Sequence, residues 1–237
     1  MSAATEFAPG LMVQRTPAPL LLSDYKLIAF DMDSTLITIE CVDEIADATG
    51  KKAEVAAITE ATMRGEITDF KESLRQRVAL LQGVTEADMA QVRDERLQLS
   101  PGAQTLVQAC QRAGLKVLLV SGGFTYFAEY VRGLLNIDFV RANMLAMDKG
   151  VLTGKLIEQP WGEICDGAEK RRTLLEVASL LGIAPAQCIA VGDGSNDLPM
   201  MGAAGLSVAF HAKPRVRAEA QIAINQGGLD RLLEILR

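Results

Sequence analysis

A short apolar run ends in two closely spaced carboxylates. The run Leu27–Phe30 is followed directly by Asp31 and Asp33 in the stretch Asp31–Thr35. An apolar run of this length between polar residues predicts a buried strand over about 26–31. Because ligands bind beyond the carboxyl ends of strands in open α/β sheets, the two carboxylates favour either a hard metal ion or nucleophilic chemistry. A helix N-cap is the structural alternative, since Asp, Ser and Thr favour that position.

The rest of the chain alternates apolar strands with helices. Further strands are predicted over about 116–120, 188–191, 206–209 and 221–224, with a hairpin over 143–158. Helices are predicted over about 106–112, 124–134, 167–181 and 228–236. This alternation favours an α/β fold with a doubly wound, parallel-sheet (Rossmann-like) core.

Two segments depart from this alternation. Residues 39–99 show helical periodicity among many charges, which predicts a small helical cap domain over the site. Residues 1–25 hold three of the eight prolines and predict an extended N-terminal arm, with Leu20–Leu22 packed on the core. The expected core domain therefore comprises residues 26–38 and 100–237.

Charge and cysteine content exclude several classes of protein. A formal net charge of -6 gives no electrostatic footprint for nucleic acid or for an anionic membrane. The scattered Cys41, Cys110, Cys165 and Cys188 form no C-x-x-C pair, so we expect free thiols and a cytoplasmic location. We expect neither a membrane span nor a signal peptide. With His211 as the single histidine, carboxylates, a lysine or a metal ion must carry any catalysis.

Polar clusters follow three of the predicted strands. They are Asp31 with Asp33, the element Ser121–Gly123, and the loop Gly192–Asp197. Because the carboxyl ends of parallel strands meet at one sheet edge, we expect these clusters to lie together. Backbone N–H groups of Ser121–Gly123 at a helix start suit phosphate oxygens, with a plain turn as the alternative. Lys170 can add a positive charge there, although an isolated lysine is usually solvated.

The loop after the 188–191 strand resembles a dinucleotide-binding loop only in part. Gly192 and Gly194 match, but Asp197 replaces the third glycine. Asp193 and Asp197 would each repel a pyrophosphate by roughly 4 kcal/mol at about 4 Å in an effective dielectric near 20. A hard divalent cation such as Mg²⁺ explains the carboxylates instead, with Asp31 and Asp193 as ligands.

Four motifs together resemble those of the haloacid dehalogenase-like phosphatases. They are Asp31–Thr35, Ser121–Thr125, Lys170 and Gly192–Met200. Other segments resemble the branch of this family that acts on O-phospho-L-serine, namely Phe30–Glu44, Met63–Gly65, Ser73–Val78 and His211–Pro214. The resemblance extends over nearly everything from Lys26 to the C-terminus.

The resemblance implies a Mg²⁺-dependent hydrolysis of O-phospho-L-serine to L-serine and phosphate, the last step of serine biosynthesis. Asp31 would be the nucleophile that forms an aspartyl-phosphate, and Asp33 would act as general acid and then as base. Asp31, the Asp33 carbonyl and Asp193 would bind Mg²⁺. Asp197 would support the metal site, and Asn196 would orient phosphate or water.

The same resemblance assigns substrate-binding residues. Ser121, the Gly122 N–H and Lys170 would hold the phosphoryl oxygens. Glu40 would meet the substrate ammonium, and Arg77 would bind its carboxylate through a planar fork of donors.

Two other functions share these motifs. A phosphotransferase that passes the phosphoryl group to another small alcohol, such as homoserine, has the same first half-reaction. A catalytically silent module that binds phosphate or metal is the alternative of another class. Binding alone does not need the acid and nucleophile pair of Asp33 and Asp31, which argues against such a module.

Overall fold

A nine-stranded sheet forms the centre of the described structure. The computed structural model describes residues 4–63, 69–162 and 164–237. The strands are β1 Thr5–Ala8, β2 Leu11–Val13, β3 Leu27–Phe30, β4 Lys116–Phe124, β5 Phe139–Asp148, β6 Val151–Ile157, β7 Cys188–Gly192, β8 Leu206–Phe210 and β9 Ile222–Ile224. Their order is β1-β2-β9-β8-β7-β3-β4-β5-β6. The strands from β9 to β5 run parallel, and β1, β2 and β6 join antiparallel, so the predicted parallel core is confirmed.

Helices cover both faces of this sheet. They are α1 Cys41–Ala48, α2 Lys52–Met63, α3 Phe70–Leu80, α4 Glu86–Glu95, α5 Ala103–Arg112, α6 Thr125–Leu135, α7 Gly167–Leu180, α8 Leu198–Met201 and α9 Pro214–Glu219. Successive residues of a strand point to opposite faces, and β3 follows this rule. Ile28 and Phe30 enter one apolar cluster while Leu27 and Ala29 enter the other. None of the described helices has the length and apolarity needed to cross a bilayer.

The helical segment leaves and re-enters the core at adjacent points. Ile37 and Leu99 form an antiparallel bridge, and the Thr38 N–H donates to the Gln98 carbonyl at 3.0 Å. Helices α1–α4 lie between these points, which confirms the helical pattern predicted for 39–99. The division into arm, core and cap stays a prediction. Of the segment 63–65 used for the resemblance, residues 64 and 65 lie outside the described residues.

The predicted hairpin is formed by β5 and β6, which pair antiparallel. Its turn contains Lys149 and Gly150, with φ of 49° and 80°. Positive φ at two consecutive turn residues matches the right-handed twist of hairpin strands. The loop between α3 and α4 is tied to this hairpin, because the Gly83 N–H donates to the Leu152 carbonyl and the Leu152 N–H to the Val84 carbonyl.

The structure refines two local predictions and shows a third to be wrong, the end of the strand predicted over 116–120. The arm contains β1 and β2, whose short strands exist because β2 pairs with the sheet edge at β9. Strand β4 does not stop at Val120 but continues with shifted register to Phe124. The C-terminal segment Leu229–Glu234 is a 3₁₀ helix, in which the three-residue spacing of Leu229 and Leu232 turns both toward the core.

Candidate active site

A cavity of about 360 Å³ lies beyond the carboxyl ends of β3, β4 and β7. Most of the predicted site residues line it: Asp31, Asp33, Glu40, Arg77, Ser121, Gly122, Asp193 and Asn196. Lys170 and Asp197 are absent from this lining and lie completely buried behind it. The sheet edge therefore brings the three polar clusters together, as the parallel order of the strands requires.

Lys170 links two carboxylates beneath the cavity. Its Nζ lies 2.7 Å from Asp31 Oδ1 and 2.7 Å from Asp197 Oδ1. Asp31 Oδ1 also accepts the Met32 N–H at 2.7 Å, so both contacts use one oxygen of the carboxylate. Burial alone would lower the pKa of Lys170, but the Asp197 and Asp31 carboxylates raise it above its usual value. Lys170 is therefore a permanent buried cation.

Asp197 holds the loop that carries Asp193. Its Oδ2 accepts the N–H groups of Asp193 at 3.1 Å and of Gly194 at 3.0 Å. A Cβ atom at Gly192 would lie 2.3 Å from the Asp197 carboxyl group, so only glycine fits there. Because both Asp197 oxygens have partners, Asp197 is suited to orienting the site more than to binding a ligand directly.

The acidic cluster has the composition of a cation site. Carboxylate oxygens of Asp31, Asp193 and Asp197 lie within 4.8 Å of one another. Among the described residues, the ion pairs give these three carboxylates one ammonium, that of Lys170, so two negative charges are left unpaired when all three are ionised. Burial, followed by repulsion from Asp197, raises the pKa of Asp193 to about 6. A hard divalent cation removes this repulsion, and oxygen donors of this kind are those that it prefers.

Asp33 lies close to the same cluster in a different environment. Its Oδ1 accepts the Cys41 thiol at 3.1 Å, and its Oδ2 lies 3.4 Å from the Cys41 nitrogen. Burial and then the Glu40 charge raise the pKa of Asp33 to about 7. A Cβ at Gly123 would come within 2.9 Å of Asp33 Oδ2, so glycine permits this approach. Asp33 can thus both hold and release a proton near neutral pH.

The element Ser121–Gly123 lies at the end of β4. The Gly123 N–H donates to Ser121 Oγ at 2.8 Å. Ser121 is 1% exposed, so its hydroxyl belongs to the cavity wall and not to the surface. The element precedes helix α6, which begins at Thr125. Hydroxyl and backbone N–H donors at a helix start suit an anionic group.

Glu40 and Arg77, both on the helical segment, also line the cavity. The Ser34 hydroxyl donates to Glu40 Oε1 at 2.7 Å and so orients that carboxylate. Arg77 lies on α3, and its Nε donates to the Ser73 carbonyl at 3.4 Å. Burial lowers the pKa of Arg77, and the nearby Asp43 carboxylate opposes that shift. The cavity therefore offers an anionic and a cationic group for a zwitterionic ligand.

Several cavity residues were missed by the sequence analysis. The Phe70 ring packs on the Ser121–Gly123 element, where it would lie 3.2 Å from a Cβ at Gly122. Asp43 and Lys213 also line the cavity. Asp43 Oδ1 is buried without a hydrogen-bond partner among the described residues. Asp43 and Lys213 lie within segments that carry the resemblance but were given no role, and Phe70 lies outside every motif.

His211 and the cysteines do not line the cavity, although the Cys41 thiol donates to Asp33. The His211 ring packs edge-on against Phe210, and its Nε2 lies 2.8 Å from the Gly227 carbonyl. All four cysteines are buried and free of disulfides. Burial raises the pKa of Cys110 and of Cys165 to about 12, so these thiols are not reactive near neutral pH.

Comparisons with known proteins agree with this geometry. The family model of the haloacid dehalogenase-like hydrolases matches residues 28–202. A protein of Albidiferax ferrireducens named phosphoserine phosphatase is 69% identical over 233 residues, which cover 98% of each chain. The likeness therefore includes the N-terminal strands β1 and β2 as well as the cavity.

Two solved structures have the same fold. A substrate-bound phosphoserine phosphatase complex is 35% identical, with a TM-score of 0.82 over 90% of this chain and 99% of that chain. A phospho-aspartyl intermediate analogue of phosphoserine phosphatase is 36% identical, with a TM-score of 0.82 and the same coverage.

Proposed function

Because the chain belongs to the haloacid dehalogenase-like hydrolase family, we propose that it hydrolyses O-phospho-L-serine to L-serine and inorganic phosphate. One observation carries the proposal. A single cavity is lined by the paired carboxylates Asp31 and Asp33 and also by Glu40 and Arg77. A phosphorylated amino acid is a ligand that needs both sets of groups at once.

Asp31 is the nucleophile in this proposal. Its carboxylate attacks phosphorus, so that an Asp31–phosphorus bond forms while the bond from phosphorus to the serine oxygen breaks. The contacts of Asp31 Oδ1 with Lys170 and the Met32 N–H fix the carboxylate before the reaction. Such preorganisation lowers the barrier, because the group needs no reorientation in the transition state.

Asp33 moves the proton in both half-reactions. In the first, its protonated carboxyl gives a proton to the departing serine oxygen. In the second, its carboxylate takes a proton from the water that attacks phosphorus and releases phosphate from Asp31. The pKa of Asp33, raised to about 7 by burial and by Glu40, supports both roles at neutral pH.

Donors at the cavity wall hold the phosphoryl oxygens. The Ser121 hydroxyl and the Gly122 N–H lie at the end of β4, and Asn196 lies in the loop after β7. Lys170, which is buried beneath the cavity and paired with Asp31, adds positive charge near the phosphoryl group. Donors fixed in place are worth more here than in water, because Ser121 and the neighbouring Asp31 are buried.

The residues present fit a Mg²⁺ ion. Asp31, the Asp33 backbone carbonyl and Asp193 would hold it, and Asp197 would keep the Asp193 loop in place. Bound there, Mg²⁺ would offset the repulsion between the Asp31 carboxylate and the phosphate group. The uncompensated charge of the three aspartates supports this assignment.

Glu40 and Arg77 provide selectivity for an amino acid. Glu40, oriented by the Ser34 hydroxyl, binds the ammonium group. Arg77 binds the carboxylate with two parallel donors, as a planar guanidinium can. We also place the protein in the cytoplasm as the final enzyme of serine synthesis, which its four free buried thiols support.

Phosphate release from O-phospho-L-serine with Mg²⁺ tests the proposal. The wild-type protein is expected to release serine and phosphate in equal amounts and to favour this ester over phosphomonoesters without an amino-acid moiety. Asp31→Asn is expected to remove turnover and leave the unfolding temperature near the wild-type value. Turnover by that variant would refute the nucleophile assignment, and a deficit of phosphate in the presence of homoserine would indicate transfer to an alcohol.

A further inference from the structure

Asn143 lies directly behind the Ser121–Gly123 element. It belongs to β5, is completely buried, and is paired with Phe124 of β4. The preceding register pair of the two strands is Val120 with Arg141. Five residues of β4, Val120–Phe124, therefore span the same stretch as three residues of β5, Arg141–Asn143. This bulge turns Ser121–Gly123 away from the ladder and leaves it without paired residues in β5.

The Asn143 side chain replaces the missing ladder contacts. Its Nδ2 donates to the Gly122 carbonyl at 2.7 Å, and its Oδ1 accepts the Cys165 N–H at 2.7 Å. One partner can only accept and the other can only donate, so the amide has a single possible orientation. The same side chain thus ties the Ser121–Gly123 element to the segment that leads into α7, the helix of Lys170.

The peptide group between Gly122 and Gly123 is consequently held at both ends. Asn143 fixes its carbonyl, and its N–H donates to Ser121 Oγ at 2.8 Å. A hydroxyl that accepts this hydrogen bond still has its own proton to donate. The orientation of the peptide group therefore determines whether the Ser121 proton is directed into the cavity.

We propose that Asn143 is a positioning residue for phosphoryl transfer, acting through the Gly122–Gly123 peptide group on the Ser121 hydroxyl. The inference rests on the proposed phosphatase activity, in which Ser121 binds a phosphoryl oxygen. Asn143 makes no contact with substrate in this role. It fixes a donor whose direction matters most in the transition state, when charge on the phosphoryl oxygens is redistributed.

Two substitutions at Asn143 test the inference. Asn143→Asp keeps the shape and the acceptor for Cys165 but removes the donor to Gly122, and Asn143→Ala removes both contacts without adding a charge. We expect kcat/KM for O-phospho-L-serine to fall by at least about tenfold in each, since one preorganised donor is worth about 10²–10³ in kcat. Circular dichroism and thermal unfolding identify any variant that fails to fold, and Asn143→Ala then carries the test.

Gln159→Glu is the matched control. Gln159 Nε2 donates to the carbonyl of Ala142, the residue next to Asn143, at 3.1 Å, and Gln159 does not line the cavity. Its replacement removes the same kind of amide-to-carbonyl hydrogen bond from β5 and is expected to leave kcat/KM unchanged. Equal losses in Gln159→Glu and in the Asn143 variants would overturn the inference.

A double-mutant cycle with Ser121→Ala separates positioning from general support of the fold. If Asn143 acts through Ser121, then Ser121→Ala/Asn143→Ala is expected to lie within about twofold of Ser121→Ala alone. If the losses of the two single variants multiply in the double variant, the inference is overturned. Full activity of Ser121→Ala would also overturn it, because the Ser121 hydroxyl would then contribute nothing that Asn143 could position. A wild-type protein that releases no phosphate refutes the proposed function instead, so the two failures are distinguishable.

Discussion

Lys170 and Asp31 form a buried ion pair, with 2.7 Å between Nζ and Oδ1 and a lysine side chain that is 0% exposed. The ammonium is shared with Asp197 at the same distance. Burying charges is costly unless each has a partner, and the triad meets that condition only while all three members are present. The pair therefore contributes both to the stability of the sheet edge and to the fixed orientation of the Asp31 carboxylate.

Lys170→Met is expected to affect both properties. Removal of the ammonium leaves two buried carboxylates unpaired, which costs about 3–5 kcal/mol of the free energy of unfolding. Turnover is expected to fall by more than about 10²-fold, because Asp31 loses its fixed orientation. Urea unfolding and phosphate release measure the two effects. Lys213→Met is the control: Lys213 lines the same cavity but is exposed, and a loss of similar size there would contradict the special role of Lys170.

The sequence was sufficient to predict the sheet edge but not its internal contacts. Strand-end positions placed Asp31, Ser121 and Asp193 together, because parallel strands share one edge. Lys170 was expected to meet phosphate oxygens. Its contacts with Asp31 and Asp197 depend on how α7 packs against β4 and α8, which no local pattern encodes.

Other features depend on pairing between distant segments. Strand β2 has only three residues, and it exists because β9 offers a free edge. Asn143 lies within an ordinary strand pattern and gains a role only because β4 bulges opposite it. Phe70 reaches the cavity through the packing of α3 over the sheet. Tertiary contacts decide such features, and strand propensity alone does not.

Asp33→Asn is expected to slow both formation and hydrolysis of the phosphoenzyme. The amide cannot give a proton to the serine oxygen or take one from water. In the wild type, the formation step is expected to slow as the pH rises through the Asp33 pKa, because the protonated carboxyl is then lost. Rapid-quench kinetics measure each step. p-Nitrophenyl phosphate is the control, because its phenolate leaves without a proton, so Asp33→Asn is expected to form the phosphoenzyme from it at a nearly normal rate. If Asp33→Asn alters neither formation nor hydrolysis of the phosphoenzyme with O-phospho-L-serine, the acid–base role is excluded.

Asp193→Asn is expected to stabilise the metal-free protein at neutral pH. The pKa of Asp193 is raised in the folded state from 3.8 to about 6, so the folded protein holds this proton more tightly than the unfolded chain. Stability is therefore lost as the pH rises through this range, by on the order of 3 kcal/mol in total. Asparagine cannot ionise, so the variant avoids that loss.

Urea unfolding in a chelator measures this difference between wild type and Asp193→Asn. It is expected to be largest above pH 6 and to shrink as the pH approaches 3.8. Added Mg²⁺ is expected to stabilise the wild type and not the variant, since binding to the folded state alone shifts the equilibrium. A variant that is less stable than the wild type in chelator at pH 7.5 would contradict the electrostatic account.

Arg77→Ala is expected to change selectivity more than catalysis. Loss of a charge-assisted contact is worth about 1.5–3 kcal/mol, or roughly 10- to 100-fold in kcat/KM for O-phospho-L-serine. O-phosphoethanolamine is the same ester without the carboxylate, so its kcat/KM is expected to change little. Arg75→Ala is the control, because Arg75 lies on the same helix with a side chain that is 43% exposed. If both esters lose activity equally in Arg77→Ala, then Arg77 supports the cavity and does not recognise the carboxylate.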